Sequence, residues 1–335
     1  MTDPNQPTSP DSPRLRISIL LAQGCSATSV ASMLEVFESI NFLALSRGAR
    51  EARLRVTTVS LDGQPVTASG GVTLRPTHRI DTATEADLVI VPGFLFRIME
   101  LLPRLSAWLP WLRQHHAAGS TIATVCTGAF LAAEAGLLDH RRATTHWYYA
   151  DTFRKRYPKV NLQDSQTVTV DGQLLCSGGA TAGNDLLLYL LETFVDRALA
   201  REFAKKLLID SSRTDQSPYR TASFNRRHED DAIHRVQDWL DQNYRESLQV
   251  GALADRFGFS HRNFVRRFKA ATRQSPGQYL QNLRLEDAKQ RLESSKASFE
   301  QITYQVGYED PNSFRRLFAD RVGVSPMDYR RKFQR

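Results

Sequence analysis

One pattern occurs twice in the last hundred residues. Phe264, Phe268, Ser275, Pro276 and Tyr279 follow Phe-x3-Phe-x6-Ser-Pro-x2-Tyr, and Phe314, Phe318, Ser325, Pro326 and Tyr329 repeat it fifty residues later. Arg266 and Arg316 match inside it. Upstream the offset is forty-nine, pairing Leu253 with Ile302 and Gly258-Phe259 with Gly307-Tyr308. One residue is therefore inserted between the halves of the unit. A period near fifty with a turn glycine inside predicts two copies of one small helical unit. Each copy reads as a helix, a tight turn at the glycine, and a second helix bearing the Phe pair. That is a helix-turn-helix.

The second helices divide into two faces. Phe264 and Phe268, four residues apart, point inward, which leaves His261, Arg262, Val265, Arg266 and Lys269 as the outer stripe. Ser260 stands at the N-cap position. In the second copy Asp310 caps, Pro311 takes the first helical position, and Phe314, Leu317 and Phe318 face the core. Asn312, Arg315, Arg316 and Ala319 face out. Arg suits guanine edges and Asn suits adenine; each Arg equally suits a phosphate. Between the copies, Ser275-Pro276-Gly277-Gln278 reads as a capping box opening a helix with apolar Tyr279, Leu280, Leu283, Ala288 and Leu292. From Pro276 to Ser294 such a helix spans about 28 Å, close to the ~34 Å turn of B-DNA. One chain is thus expected to set two recognition helices in successive major grooves.

Charge points the same way. Of 44 Lys+Arg and 36 Asp+Glu, residues 211–335 hold 23 and 16, a net of +7 within the chain's +8. A basic module joined to a nearly neutral one is the electrostatic footprint of a nucleic-acid-binding domain. No apolar run approaches membrane-span length, and no secretory signal is apparent. Cys25, Cys126 and Cys176 are expected to be free thiols in a reducing cytoplasm. Residues 1–13 space Pro4, Pro7, Pro10 and Pro13 by three and read as a disordered tail or an extended polyproline segment. No His, Cys, Asp and Glu cluster has metal-ligand spacing, so neither metal nor cofactor is expected. His115-His116 sits near a helix end and reads as solvated or as interacting with the helix dipole.

The N-terminal half reads as α/β. Residues 16–22, 54–60, 88–91 and 121–125 are strand-like, and helical patterns run through Val30 to Asn41, 104–116, 186–195 and 199–210. Gly119 is placed to end the second of these. Val168–Val170 and Leu174–Cys176 flank Asp171-Gly172 as a hairpin. Short apolar runs alternating with helices imply a parallel sheet covered on both faces. Within Ile122–Phe130, a strand runs into a small-residue turn centred on Cys126 and then into a helix. That is the shape of a nucleophile elbow. The helix N-terminus is expected to lower the thiol pKa and favour thiolate. A small buried residue at a tight turn fits the same segment.

Together with Val91-Pro92-Gly93, Ala143–Trp147 and Ser177–Asp185, this elbow resembles the PfpI-like, class I glutamine amidotransferase-like superfamily across residues 14–200. The resemblance implies a flavodoxin-like parallel sheet. It covers cysteine peptidases, glyoxalase-like proteins and non-catalytic sensor domains alike. Three departures matter. Where catalytic members carry a glutamate early in the first helix, this chain reads Ala27-Thr28-Ser29, and the next carboxylate is Glu35. Thr127 replaces the histidine that peptidase-type members place after the cysteine. Phe94 replaces a second glycine after Pro-Gly, altering the oxyanion-binding turn. The expectation is therefore no catalytic residue and a ligand pocket formed by Cys126, Thr127, His146 and Trp147. Trp147, Tyr148 and Tyr149 read either as an aromatic face for a cation or as core.

Residues 229–335 resemble the DNA-binding domain of the AraC/XylS family, through Leu253-Ala254, Gly258-Phe259-Ser260, Arg262, Phe264, Arg266, Phe268-Lys269 and Ser275-Pro276, and through their second-copy counterparts. A PfpI-like domain before this module resembles the GlxA-type group. The implied organisation is a tail at 1–13, a ligand-sensing and dimerising domain at 14–210, a linker at 211–228 and an all-α domain with two helix-turn-helix units at 229–335. The expected function is transcriptional regulation. The expected partners are double-stranded promoter DNA, a small-molecule effector of amine or amino-acid type, a second copy of the chain and, for an activator, RNA polymerase. The expected DNA contacts are His261, Arg262, Arg266, Lys269, Asn312, Arg315 and Arg316. The alternative is a thiol-dependent hydrolase or glyoxalase-like enzyme using Cys126, with DNA binding attached.

Overall fold

Apolar runs too short for helices account for the centre of the first half. A computed structural model describes residues 15–46, 54–209 and 213–334; the proline-spaced tail lies outside the described residues. The chain forms two compact units, Met1–Gln216 and Ser217–Arg335. In the first, strands β1 (Leu15–Leu20), β2 (Leu54–Ser60), β3 (His78–Arg79), β4 (Leu88–Val91), β5 (Thr121–Val125), β6 (Val168–Asp171) and β7 (Leu174–Ser177) make a seven-stranded sheet ordered β6-β7-β5-β4-β1-β2-β3. All neighbours pair in parallel except the β6–β7 hairpin. Every residue of β4 and β5 is buried, as in a strand covered on both faces.

Besides a single turn at Ile98–Leu101, the α-helices of this unit among the described residues are α1 (Ala27–Ser46), α2 (Leu109–Ala117), α3 (Ala129–Glu134), α4 (Ala150–Arg156), α5 (Ala182–Phe194) and α6 (Arg197–Lys206). Helix α1 corrects one expectation, because it is long and apolar enough to cross a membrane by length and composition. Its Ser, Glu and Asn residues hide that run from inspection. Its stripe of Val30, Met33, Val36, Phe37 and Ile40 is buried in the core of the unit. The helix expected over 104–116 starts as a 3-10 stretch, Leu102–Trp108, and becomes α-helical only at α2. Pro103 and Pro110 each lack the N–H an interior turn needs, so each sits in a first turn. His115 is not solvated: it lies on the inner face of α2 against Trp111, with Nε2 3.1 Å from the Ala83 carbonyl oxygen. Burial pushes its pKa down, so the neutral ring donates to that carbonyl.

The second unit contains α7 (Asp231–Asn243), α8 (Val250–Arg256), α9 (His261–Thr272), α10 (Pro276–Ser294), α11 (Phe299–Gln305), α12 (Pro311–Val322) and α13 (Pro326–Phe333). It has two hydrophobic cores. Phe264 and Phe268 anchor the first, with Ile233, Val236, Leu240 and Leu253. Phe314 and Phe318 anchor the second, with Ile302, Val306 and Tyr329. Helix α10 belongs to both, giving Tyr279 and Leu280 to the first and Leu285, Ala288 and Leu292 to the second. The Ser275–Gln278 capping box forms in both directions, at 3.3 and 3.2 Å. Residues 213–228, read from sequence as part of the linker, make specific contacts within the two units. Gln216 is buried in the first, and in the second Phe224 packs on the first core while Asn225 donates to the Ala271 carbonyl at 2.7 Å.

Candidate nucleic-acid interface and elbow site

Each helix-turn-helix is built on a glycine. Gly258 has φ +73° between α8 and α9, and Gly307 has φ +88° between α11 and α12. A left-handed residue there turns the chain sharply, at a steric cost glycine avoids. Behind the recognition helices α9 and α12, the Phe pairs are fully buried and continue edge-on into Tyr279 and Tyr329. That packing fixes which side faces out. His261, Arg262, Arg266, Lys269, Asn312, Arg315 and Arg316 are all exposed.

The caps differ between the copies. Asp310 accepts from the N–H groups of Asn312 and Ser313 at 3.0 and 3.1 Å. Ser260 occupies the N-cap with extended backbone, but its hydroxyl makes no cap bond, contrary to the sequence expectation. Sequence fixes a cap's position, whereas a single serine rotamer decides whether it bonds. The outward residues also differ in their partners. Arg266 donates to Asn263 Oδ1 at 3.0 Å. Arg315 donates to Asn312 Oδ1 at 3.2 Å and to Glu300 at 3.0 Å. Among the described residues, no carboxylate pairs with Arg262, Arg266, Lys269 or Arg316. Asn263 was missed from sequence, although an Asn-x-x-Arg couple recurs at an offset of forty-nine and could have flagged it.

In the first unit the ends of β1, β4 and β5 converge as doubly wound sheets require. Cys126 follows β5 with φ +56°, and Leu95 follows the β4 turn with φ +46°. Non-glycine residues in this region store backbone strain, so the elbow shape is retained. The shape depends on close approach, since a Cβ on Gly128 would lie 2.6 Å from the Val91 carbonyl oxygen. Thr127 is fully buried, and its hydroxyl accepts the Phe94 N–H at 2.8 Å. That backbone donor is therefore already occupied. Thr145 donates to the Cys126 carbonyl at 3.0 Å, which places the segment carrying His146 beside the elbow.

The electrostatics overturn the thiolate expectation. Burial pushes the Cys126 thiol up to about 11, against smaller opposing hydrogen bonds from Thr127. Desolvation outweighs the helix end because α3 is preceded by a 3-10 turn and the sulfur is out of water. Burial likewise pushes His146 down. Its Nδ1 accepts the Tyr148 N–H at 3.1 Å, leaving Nε2 to carry the proton of a neutral ring. Trp147 is half-buried and 5.4 Å from the His146 ring, while Tyr148 is exposed and meets exposed Phe96 edge-on at 5.8 Å. Tyr149 is buried and donates to the Phe96 carbonyl at 2.8 Å. So Tyr149 is core and Tyr148 is surface.

Gln216 was not legible as a site residue. Its side chain is buried and donates to the carbonyls of Thr145 and Gln166 at 3.0 and 3.1 Å, and it accepts the Trp147 N–H at 3.2 Å. It thereby fixes the segment that carries His146 and Trp147. Nothing in its polar surroundings, Thr-Asp-Gln-Ser, separates it from a solvated residue. Among the described residues, no group of three or more His, Cys, Asp and Glu is placed to hold a metal.

Residues 16–193 match the DJ-1/PfpI family and residues 253–332 match a helix-turn-helix domain. The HTH-type transcriptional regulator CdhR of Pseudomonas aeruginosa is 29% identical over 269 residues, covering 80% of this chain and 79% of that protein. The HTH-type transcriptional regulator GlxA of Rhizobium meliloti is 27% identical over 219 residues, 63% of this chain and 67% of that protein. An isonitrile hydratase of Pseudomonas putida is 34% identical over 171 residues, 49% of this chain and 73% of the enzyme. The strained elbow on a mostly parallel sheet and the paired helix-turn-helix units place both resemblances read from sequence on firm ground: the chain belongs to the DJ-1/PfpI family and carries a C-terminal helix-turn-helix domain.

Proposed function

We propose that this chain is a sequence-specific DNA-binding transcriptional regulator of promoters, acting in the cytoplasm as a homodimer and controlled by a small amine or amino-acid-like effector in its first unit. If it activates, RNA polymerase is a further partner. One observation carries the DNA reading: two recognition helices, each backed by a buried Phe pair, expose Arg262, Arg266 and Lys269 on one and Asn312, Arg315 and Arg316 on the other. Base edges are read by such side chains, with phosphates supplying most of the affinity. On an operator selected from random DNA, Arg266→Ala or Arg315→Ala is expected to weaken binding by about 1–3 kcal/mol, with little change on scrambled DNA. Equal loss on both DNAs would reassign that arginine to phosphate contact. Loss for none of Arg262, Arg266, Arg315 and Arg316 would remove the interface.

The elbow is read as a pocket that senses and does not catalyse. The Cys126 and His146 side chains are both neutral near pH 7, the Phe94 N–H is already bonded, and the first helix opens with Ala27-Thr28-Ser29 in place of a carboxylate. Half-buried Trp147 and exposed Tyr148 and Phe96 offer ring faces to a cation. The likeness to an isonitrile hydratase favours the alternative, a thiol enzyme, and alkylation separates the two. With a pKa of about 11, roughly one thiol in a thousand is ionised at pH 8, against about one in four for a free thiol. Iodoacetamide is therefore expected to label native Cys126 at least about a hundredfold more slowly than the urea-unfolded chain. Cys126→Ser is expected to leave regulation of a reporter promoter intact. Fast native labelling, together with turnover of an amide, ester, dicarbonyl or isonitrile lost in Cys126→Ser, would replace the sensor with an enzyme.

A further inference from the structure

The two recognition helices are not presented alike. Asn263 and Arg266 on α9 recur as Asn312 and Arg315 on α12, an offset of forty-nine, whereas the core phenylalanines recur at fifty. Relative to the Phe pair, the Asn–Arg couple of the second copy therefore stands one residue earlier. One residue is about 100° around a helix. The same polar couple thus leaves the second recognition helix in a different direction.

Among the described residues, only the second copy gives its couple a third member. Glu300, in the first turn of α11, accepts from Arg315 Nη2 at 3.0 Å while Arg315 Nη1 donates to Asn312 at 3.2 Å. The guanidinium also lies 5.5 Å from the centroid of Phe299, a ring buried in the second core and stacked on Phe314. Hydrogen bonds at the helix N-terminus, from Glu300's own N–H first and then Ser298, hold the carboxylate below its usual range. It stays ionised where the DNA reading puts it near phosphates. The counterpart of Glu300 in the first copy is Gly251, beside which a Cβ would meet open space. The first copy therefore lacks the carboxylate by sequence and not for want of room.

An exposed ion pair of this kind contributes little to folding, and a negative charge facing DNA weakens sequence-independent affinity. Its use lies elsewhere. Resting on the regulator reading above, we infer that Glu300 is a specificity-determining positioning residue: it clamps Arg315 against Asn312 and Phe299 so that the second helix-turn-helix reads its base pair in one orientation. Arg315 spends two of its five donors on this clamp and keeps the rest for a base edge. The carboxylate also repels DNA that offers Arg315 no matching acceptor.

The test uses the full chain and operators selected by the wild type from random DNA. Glu300→Gln is expected to lower the preference at the base pair that Arg315→Ala also affects by about tenfold. Affinity for scrambled DNA should rise by about threefold as the repulsion goes. The thermal midpoint should stay within about 3 °C. In an Arg315→Ala background, Glu300→Gln should change that preference no further, because the arginine it positions is gone. Unchanged base preference in Glu300→Gln, or an equal loss on operator and scrambled DNA, would overturn the assignment. So would a further loss of preference in the Arg315→Ala background. If the wild type enriches no sequence at all, the regulator reading itself fails, and that result appears before any variant is made.

Discussion

Gly307→Ala is expected to destabilise the second helix-turn-helix by roughly 3 kcal/mol or more, while Gly258→Ala, at the matching position of the first copy, costs only about 1 kcal/mol. Both glycines have positive φ, so both substitutions carry the left-handed penalty. They differ in what surrounds them. A Cβ on Gly307 would lie 2.3 Å from the Arg245 carbonyl oxygen, 2.8 Å from its carbon and 2.9 Å from its Cα, whereas Gly258 has nothing within 4 Å. Every atom met at Gly307 is backbone, so no rotamer change relieves the contact. The segment after α7 would have to move away from the turn of the second helix-turn-helix. Urea titration of the full-length variants, followed by circular dichroism and by operator retention, checks this. Equal midpoints for the two variants would show that the close approach yields without cost.

Arg284→Ala is expected to cost about 3–5 kcal/mol, a large effect for a charged residue on a helix. Arg284 is buried in the middle of α10, and burial pulls its pKa down from the usual arginine range. Its Nε donates to the Tyr244 carbonyl at 2.7 Å and its Nη2 to the Glu246 carbonyl at 2.6 Å. Its guanidinium lies 5.1 Å from the Tyr308 ring centroid. It therefore satisfies the chain leaving α7, just before the first helix-turn-helix, while touching an aromatic of the second. Removal leaves two acceptors unpaired and a void between the copies. Arg284→Lys is expected to rescue less than half of the loss, because an ammonium cannot span both carbonyls as a planar fork does. Thermal unfolding of the three proteins decides; full rescue by lysine would mean that charge alone matters at this position.

Several elements were legible because one local rule decided each. Strands β2, β4 and β5 run where the apolar runs put them, with boundaries at Leu54–Ser60, Leu88–Val91 and Thr121–Val125. The Phe pairs declared the cores, and Ser-Pro-x-Gln declared its capping box. What sequence missed was decided by burial across long chain separations. His115 depends on the Ala83 carbonyl, Gln216 on Thr145 and Gln166, and Arg284 on two carbonyls near residue 245. The thiol of Cys126 was misjudged for the same reason, since a helix end is visible in sequence and burial of the sulfur is not. Glu300 carries no signal of its own in the sequence, because its partner stands fifteen residues away on another helix.

Helix α10 sets a limit on the regulatory sites such a protein can acquire over time. Its first turns are locked into one core and its last turns into the other, with no hinge between. The loss or gain of one residue inside it would swing the second recognition helix by about 100° and move it about 1.5 Å. No intermediate geometry exists for selection to pass through. On the DNA reading proposed above, the distance between the two base tracts is inherited with the protein, and a promoter would come under its control by moving into phase with that fixed ruler. Drift in what is read can proceed residue by residue along α9 and α12; drift in how far apart the words stand cannot.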